Sequence, residues 1–391
     1  MGAPASVQRV SEPGTKAIGN WSGGRYLRFG EAIEAERLAG LLRPGDGIDT
    51  VLTADAYGQG EADELLGRAL EGIARDSYSL IGAVGHDFYE GERQGPRGFP
   101  RFTDPALRGP DRYAGYLRTA TERSLQRLGA DRFDLLLLHN PDRRGYESEE
   151  VWEAMASLRE DGLTGAIGVA PGPANGFTLD LLRCFERFGE RIDWAMVILN
   201  PFEPWPAELC LRAAAEHGIR VITRVVDYGG LFWDDVLPET ELPEGDHRRF
   251  RPHGWIEAGR AKLDRLRPIC ERTGLTPIQL ACQWNLAQPA VECVVPTLIQ
   301  ERGEGARPIE SKRAELAALP DQRSLGQAEV AEIRAIGDNT GSMALKGASP
   351  EHEGEERPDR WPLSEELVEA GRRWEVDPGR DLRQSAAPVG G

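Results

Sequence analysis

Lysine is scarce in this chain. Only Lys16, Lys262, Lys312 and Lys346 occur among 47 basic residues, so nothing between Lys16 and Lys262 can present an ammonium group. Positive charge is short overall: 64 acidic residues leave a net charge of -17. An acidic surface of that size repels phosphate backbones, which argues against nucleic acid as a partner and for small molecules. Cysteines number five, with no C-x-x-C spacing. An odd set within apolar or amphipathic stretches reads as free thiols in a reducing compartment, with no zinc or other metal site. No apolar run is long enough to cross a membrane. Residues 1–18 are polar and lack the apolar stretch of a secretory signal, so a cytoplasmic protein is expected. Nor does a Gly-x-Gly-x-x-Gly follow the first strand-like segment, which argues against a dinucleotide-binding open sheet.

What is present is alternation. Short apolar runs recur at Ile18–Trp21, Val51–Thr53, Leu80–Val84, Leu135–Leu138, Ala166–Ala170, Met196–Leu199, Val221–Thr223 and Cys293–Val295. Such runs suit parallel strands buried on both faces. Between them lie helical patterns, among them Asp111–Leu128, Glu149–Glu160, Leu179–Phe188, Trp255–Thr273 and Pro277–Ala287. Eight β-then-α units predict an α/β protein built as a single (β/α)₈ barrel. The stretch His86–Pro110 is a long loop after the third strand, where substrate sites are commonly shaped. Its Phe88, Tyr89, Phe99 and Phe102 fit either a loop core or a pocket wall.

Four segments resemble the aldo-keto reductase family, in that family's order. GIDTVLTADAYGQGEADELLGRAL is similar to its second strand and following turn. YLRTATERSLQRLGADRFDLLLLHNPD resembles its third helix and fourth strand. VWEAMASLREDGLTGAIGVAP and LTPIQLACQWNLAQPAVECVVPT resemble its fourth helix with fifth strand and its last helix with eighth strand. The resemblance implies hydride transfer from NADPH to a carbonyl, with a Tyr as proton donor tuned by a Lys, an Asp and a His. A lone phenol, with a pKa near 10, is a poor acid at neutral pH and needs such help. It also implies a division of the chain into a flexible 1–16, a barrel over 17–338 and a C-terminal extension over 339–391. The extension reads as a lid over the barrel mouth at Asp338–Ala348, bringing Lys346 to the site, with a dockable stretch at Ser364–Trp374 and a disordered end.

Only half of the implied catalytic set is present. Tyr57 stands at the donor's place and His139 at the His place. The Asp place is Leu52, and Asp49 has the wrong strand parity to replace it. The Lys place is Ala83. The positions that would hold a nicotinamide carboxamide read Ala170, Pro171 and Met196, and the ring-stacking aromatic aligns with Arg224. Thr297 and Glu315 replace a Gly and an Asn on the cofactor's remaining path. Tyr57 and His139 are therefore the candidate catalytic residues. Trp21, His86, Asn200 and Arg224, all at strand ends, are candidate substrate contacts, and Asp227 is a candidate salt-bridge partner for Arg224. Three functions stay open: Tyr/His acid–base chemistry on a small carbonyl or hydroxyl compound without ordinary NADPH turnover, an NADP-dependent carbonyl reductase with a modified cofactor site, and a non-catalytic ligand-binding barrel.

Overall fold

Eight strands pair in chain order, all parallel: β1 (Ala17–Gly19), β2 (Thr50–Leu52), β3 (Ser79–Val84), β4 (Phe133–His139), β5 (Thr164–Ala170), β6 (Trp194–Ile198), β7 (Arg220–Arg224) and β8 (Val291–Val295). A parallel bridge between Lys16 and Val294 brings the last strand back to the first, so the sheet is a (β/α)₈ barrel. The computed structural model describes residues 12–95, 98–172, 177–340 and 363–382. The described residues begin at Glu12. Lys16 pairs with β8, and the Gly14 amide donates to Thr50 Oγ1 at 2.8 Å.

The helices are α1 (Ala35–Leu42), α2 (Glu61–Leu70), α3 (Tyr113–Leu128), α4 (Arg143–Glu147), α5 (Glu149–Glu160), α6 (Thr178–Phe188), α7 (Leu211–Glu216), α8 (Trp255–Thr273), α9 (Pro277–Leu286), α10 (Ile309–Ala317), α11 (Gln327–Gly337) and α12 (Glu365–Arg373). Their apolar stripes explain their placement. On α6, Leu179, Leu182, Phe185 and Phe188 follow one another at three-residue spacing, and all are buried. The start of α9 is fixed by a capping box between Thr276 and Gln279, with Pro277 at the first turn.

Strand periodicity sorts side chains into two cores. Outward residues such as Leu136, Leu138, Val169 and Val221 pack under the helices. Inward residues, including Leu52, Ile81, Ala83, Leu135, Leu137, Met196, Ile222 and Val295, fill the barrel. Of the tail, the described part α12 lies on α6. Leu367 and Ala370 are buried there, and Arg373 pairs with Glu186 at 2.5 Å. Of the expected lid, Asp338, Asn339 and Thr340 are described, and the Asn339 side chain exchanges hydrogen bonds with both backbone groups of Trp205. Residues 341–348, Lys346 among them, lie outside the described residues. No described helix is long and apolar enough to cross a membrane.

Candidate active site

The inward columns of the barrel end in polar residues at the C-terminal rim. On β4, Leu135 and Leu137 are followed two residues later by His139; on β7, Ile222 is followed by Arg224. Period-two geometry therefore sets an imidazole and a guanidinium on top of an apolar floor. Tyr57 joins them from the turn after β2, where the chain passes through positive φ at Gly58 and Gln59. Its ring meets His139 edge-on at 5.7 Å between centroids and Trp21 at 6.5 Å. His86, after β3, packs on His139 at 4.9 Å. The structure thus brings together Tyr57, His139, Trp21, His86 and Arg224.

It sets Asn200 apart. This side chain is fully buried. Its Nδ2 donates to Val225 O at 3.1 Å and Glu203 Oε2 at 3.0 Å, and its Oδ1 accepts the Phe202 amide at 2.9 Å. Asn200 spends its side-chain hydrogen bonds on holding this turn. Val225 explains why it is needed: a β-branched residue at φ 58 is strained, and the Asn200 bond holds its carbonyl in place. Arg224 is not paired with Asp227 either. The Asp227 carboxylate accepts from the amides of Gly230 and Thr297, both at 2.8 Å, while Arg224 Nη2 donates to Pro171 O at 3.1 Å and Gly172 O at 2.8 Å. The aromatic cluster of the long loop forms a core against α3: Phe102 stacks on Tyr116 with centroids 5.1 Å apart, and Phe88 packs on Tyr89.

Two neighbours escaped the sequence reading. Arg101 returns from the long loop to bridge His86, and its Nε donates to Asn140 O. Asn140 in turn bonds His86 Nε2 at 3.1 Å, while His86 Nδ1 faces Phe99 O at 3.2 Å. No spacing rule marks Arg101 among the loop's arginines; only the return of the chain beside His86 does. Asn140 follows His139 directly, and its positive φ of 47 is the kind of strain common at functional turns.

The electrostatics follow from burial and two guanidiniums. Burial raises the Tyr57 phenol above its ordinary 10.0, and the Arg224 charge pulls it partly back. Burial, then Arg224 and Arg101, lower His139 to about 3. Burial, Arg101 and His139 also hold His86 well below its ordinary value. At neutral pH the site therefore contains a protonated phenol, two neutral imidazoles and two cations. A direct consequence is that His139 stays neutral from pH 8 down to about pH 4. Its unfolded counterpart takes up a proton near pH 6.5, so this residue's share of stability is present above pH 6.5 and lost as pH falls toward 3. NMR titration of the His139 ring checks this; an apparent pKa above 6 is the contrary result.

Leu52 and Ala83 both belong to the barrel filling beneath Tyr57. Asp49 is exposed just before β2, at the opposite end of the barrel from Tyr57. The described lysines are all committed elsewhere: Lys16 to Ala317 O and Leu319 O, Lys262 to Gly337 O and Asp338 O, Lys312 to Asp235. At the carboxamide's place, Ala170 and Met196 are buried inward residues, and the Pro171 and Gly172 carbonyls already accept from Arg224. These residues offer no amide donor–acceptor pair, and the fixed guanidinium would repel an oxidised nicotinamide, itself a cation.

A parallel eight-stranded barrel with its polar cluster at the C-terminal rim is the architecture of a barrel enzyme. The Aldo/keto reductase family model matches residues 14–302, and the chain belongs to that family. D-threo-aldose 1-dehydrogenase of a Pseudomonas species is 28% identical over 311 residues, covering 74% of this chain and 85% of that protein. The 6-dehydroglucose reductase of Agrobacterium fabrum is 26% identical over 263 residues, 64% and 73% of the two chains. Among solved structures, the holo form of an aldo-keto reductase from Bacillus halodurans aligns with a TM-score of 0.57 at 22% identity, over 88% of this chain and 95% of that one. An aldo/keto reductase from Klebsiella pneumoniae in complex with NADP and acetate aligns with a TM-score of 0.56 at 20% identity, over 85% and 94%.

Proposed function

We propose that this chain binds a small carbonyl- or hydroxyl-bearing molecule at the barrel mouth and acts on it by acid–base chemistry of Tyr57 and His139, in place of ordinary NADPH turnover. The observation that carries this is the pairing of Tyr57 with His139 above Leu52 and Ala83. Both groups rest in useful protonation states. The Tyr57 hydroxyl donates a proton or a hydrogen bond to a substrate oxygen, and an unprotonated ring nitrogen of His139 accepts a proton from the adjacent carbon or hydroxyl. Arg224 favours negative charge developing on that oxygen. Enolisation, dehydration and epimerisation are reactions of this type. The relatives' names point to polyhydroxylated substrates, and the chain's free cysteines support a cytoplasmic setting. Trp21 and His86 complete the substrate-binding set.

One observation favours a second reading, an NADP-dependent carbonyl reductase with its cofactor held differently: the family match runs through all eight strands. Titration with NADPH, followed by tryptophan and cofactor fluorescence, separates the two. Loss of three carboxamide hydrogen bonds at about 1 kcal/mol each weakens binding by roughly 100-fold. We expect no saturation in the low micromolar range; a dissociation constant in that range or below promotes the reductase reading. Product analysis of sugars and keto compounds incubated without cofactor then tests the acid–base chemistry. Binding without any turnover would favour a ligand-binding barrel.

A further inference from the structure

Arg224, half-buried at the barrel mouth, differs from several enclosed cations of this chain. Arg108 meets Asp87 and Glu90, Arg127 meets Asp63, Arg248 meets Asp246 and Glu301, and Arg251 meets Glu203. Lys312 meets Asp235 at 2.6 Å. In a protein with 17 excess negative charges, carboxylates are plentiful, yet Arg224 pairs with none among the described residues. Among the described residues only its Nη2 is used, on two backbone carbonyls. Its Nε is buried with no hydrogen-bond partner, and Nη1 makes no hydrogen bond to a described residue. His139 Nδ1, on the other side of the mouth, is likewise buried and unpartnered. Buried polar atoms of this kind are costly to leave unmade and call for an explanation.

We propose that the substrate carries a carboxylate beside its carbonyl or hydroxyl group, and that one oxygen of this carboxylate accepts from Arg224, at Nε or at Nη1. The inference rests on the acid–base reading of the same mouth and names its substrate class: a hydroxy or keto acid, such as a sugar acid. These protons lie on different edges of the guanidinium, so the contact is a single charge-assisted hydrogen bond rather than a bidentate pair. With the acid group anchored at β7, the rest of a short molecule extends toward Tyr57, whose ionisation the Arg224 charge influences. Neutralising Arg224 also removes one of the charges that suppress His139, so the anion makes the imidazole a better base when substrate arrives.

Calorimetric titration of the full chain tests this with D-glucuronate, D-galacturonate, D-glycerate and pyruvate, against D-glucose as the neutral probe and D-glucose 6-phosphate as the phosphate probe. At least one carboxylate is expected to bind roughly 10- to 100-fold more tightly than D-glucose, the range of a charge-assisted hydrogen bond. That advantage should shrink as salt is raised in the unaltered protein. Arg224→Gln should abolish it, and Arg224→Lys should restore only part, with melting temperature recorded for both. No carboxylate preference in the unaltered protein, or a preference that survives Arg224→Gln, overturns the proposal. Tighter binding of glucose 6-phosphate than of every carboxylate overturns the substrate class. The two readings fail separately. Arg224-dependent carboxylate binding with turnover unaffected by Tyr57→Phe sinks the acid–base chemistry alone. Tyr57-dependent turnover of neutral sugars with no carboxylate preference sinks the carboxylate site alone.

Discussion

Tyr57→Phe is expected to lower turnover by about 100- to 10,000-fold, the usual contribution of a positioned proton donor. The melting temperature should hardly move. The Tyr57 hydroxyl makes no hydrogen bond to another described residue, so its removal leaves no partner unsatisfied. The ring contacts with Trp21 and His139 survive in phenylalanine. The pH profile gives a second check. Burial raises the phenol above its ordinary 10.0, so activity should hold through neutral pH and fall only in the alkaline range, as the phenol ionises. The acid limb belongs to His139, which is neutral until far below pH 6 in the free protein. Steady-state rates across pH 3–11 for both proteins provide the measurement. A Tyr57→Phe rate within threefold of the unaltered protein would mean that the proton comes from elsewhere.

The barrel was legible because strands buried on both faces leave short, dense apolar runs, and each of the eight runs corresponds to a strand within a few residues. The site was legible only as far as strand ends carried it. Tyr57, His139 and Arg224 come together because strand parity and the turn after β2 fix their direction. What the sequence hid depends on backbone turns without a local signature. Positive φ at Val225 and Tyr228 swings Asp227 toward Gly230 and Thr297, which is why a carboxylate three residues from Arg224 is not its partner. The same turn recruits Asn200, which sits at a strand end like a substrate contact yet serves the backbone. Arg101 was hidden by the long loop: its approach to His86 is a tertiary contact across fifteen residues of chain. α10 lacks a strong apolar stripe, and its Lys312 is buried through an ion pair that no hydropathy pattern announces.

The loop after β7 is held by charge more than by apolar packing, and Arg248→Met is the substitution expected to cost most stability. Arg248 is about as buried as any side chain in the protein, at 1% exposure. It donates to Glu301 at 2.6 and 3.0 Å, to Asp246 at 2.8 Å and to Gly229 O at 3.1 Å. Asp246 also accepts the amide of Gly30 at 2.7 Å, so the cluster joins the β7 loop, the segment after β8 and the loop after β1. Methionine fills a similar volume but leaves two carboxylates buried without their cation. Breaking a buried pair from one side costs about 3–5 kcal/mol. For a chain of this length that corresponds to a fall of roughly 5 °C in melting temperature, which scanning calorimetry resolves. A rescue experiment shows whether uncompensated charge is the cause. Adding Asp246→Asn and Glu301→Gln to Arg248→Met should recover much of the loss, because neutral amides are cheaper to bury than unpaired carboxylates. A loss below about 1 kcal/mol in the single variant, typical of a solvated surface pair, would show that water reaches the cluster and that the loop is held by other contacts. Turnover at a temperature well below the transition should survive in the single variant, since Tyr57, His139 and Arg224 make no hydrogen bond or ion pair with any member of the cluster.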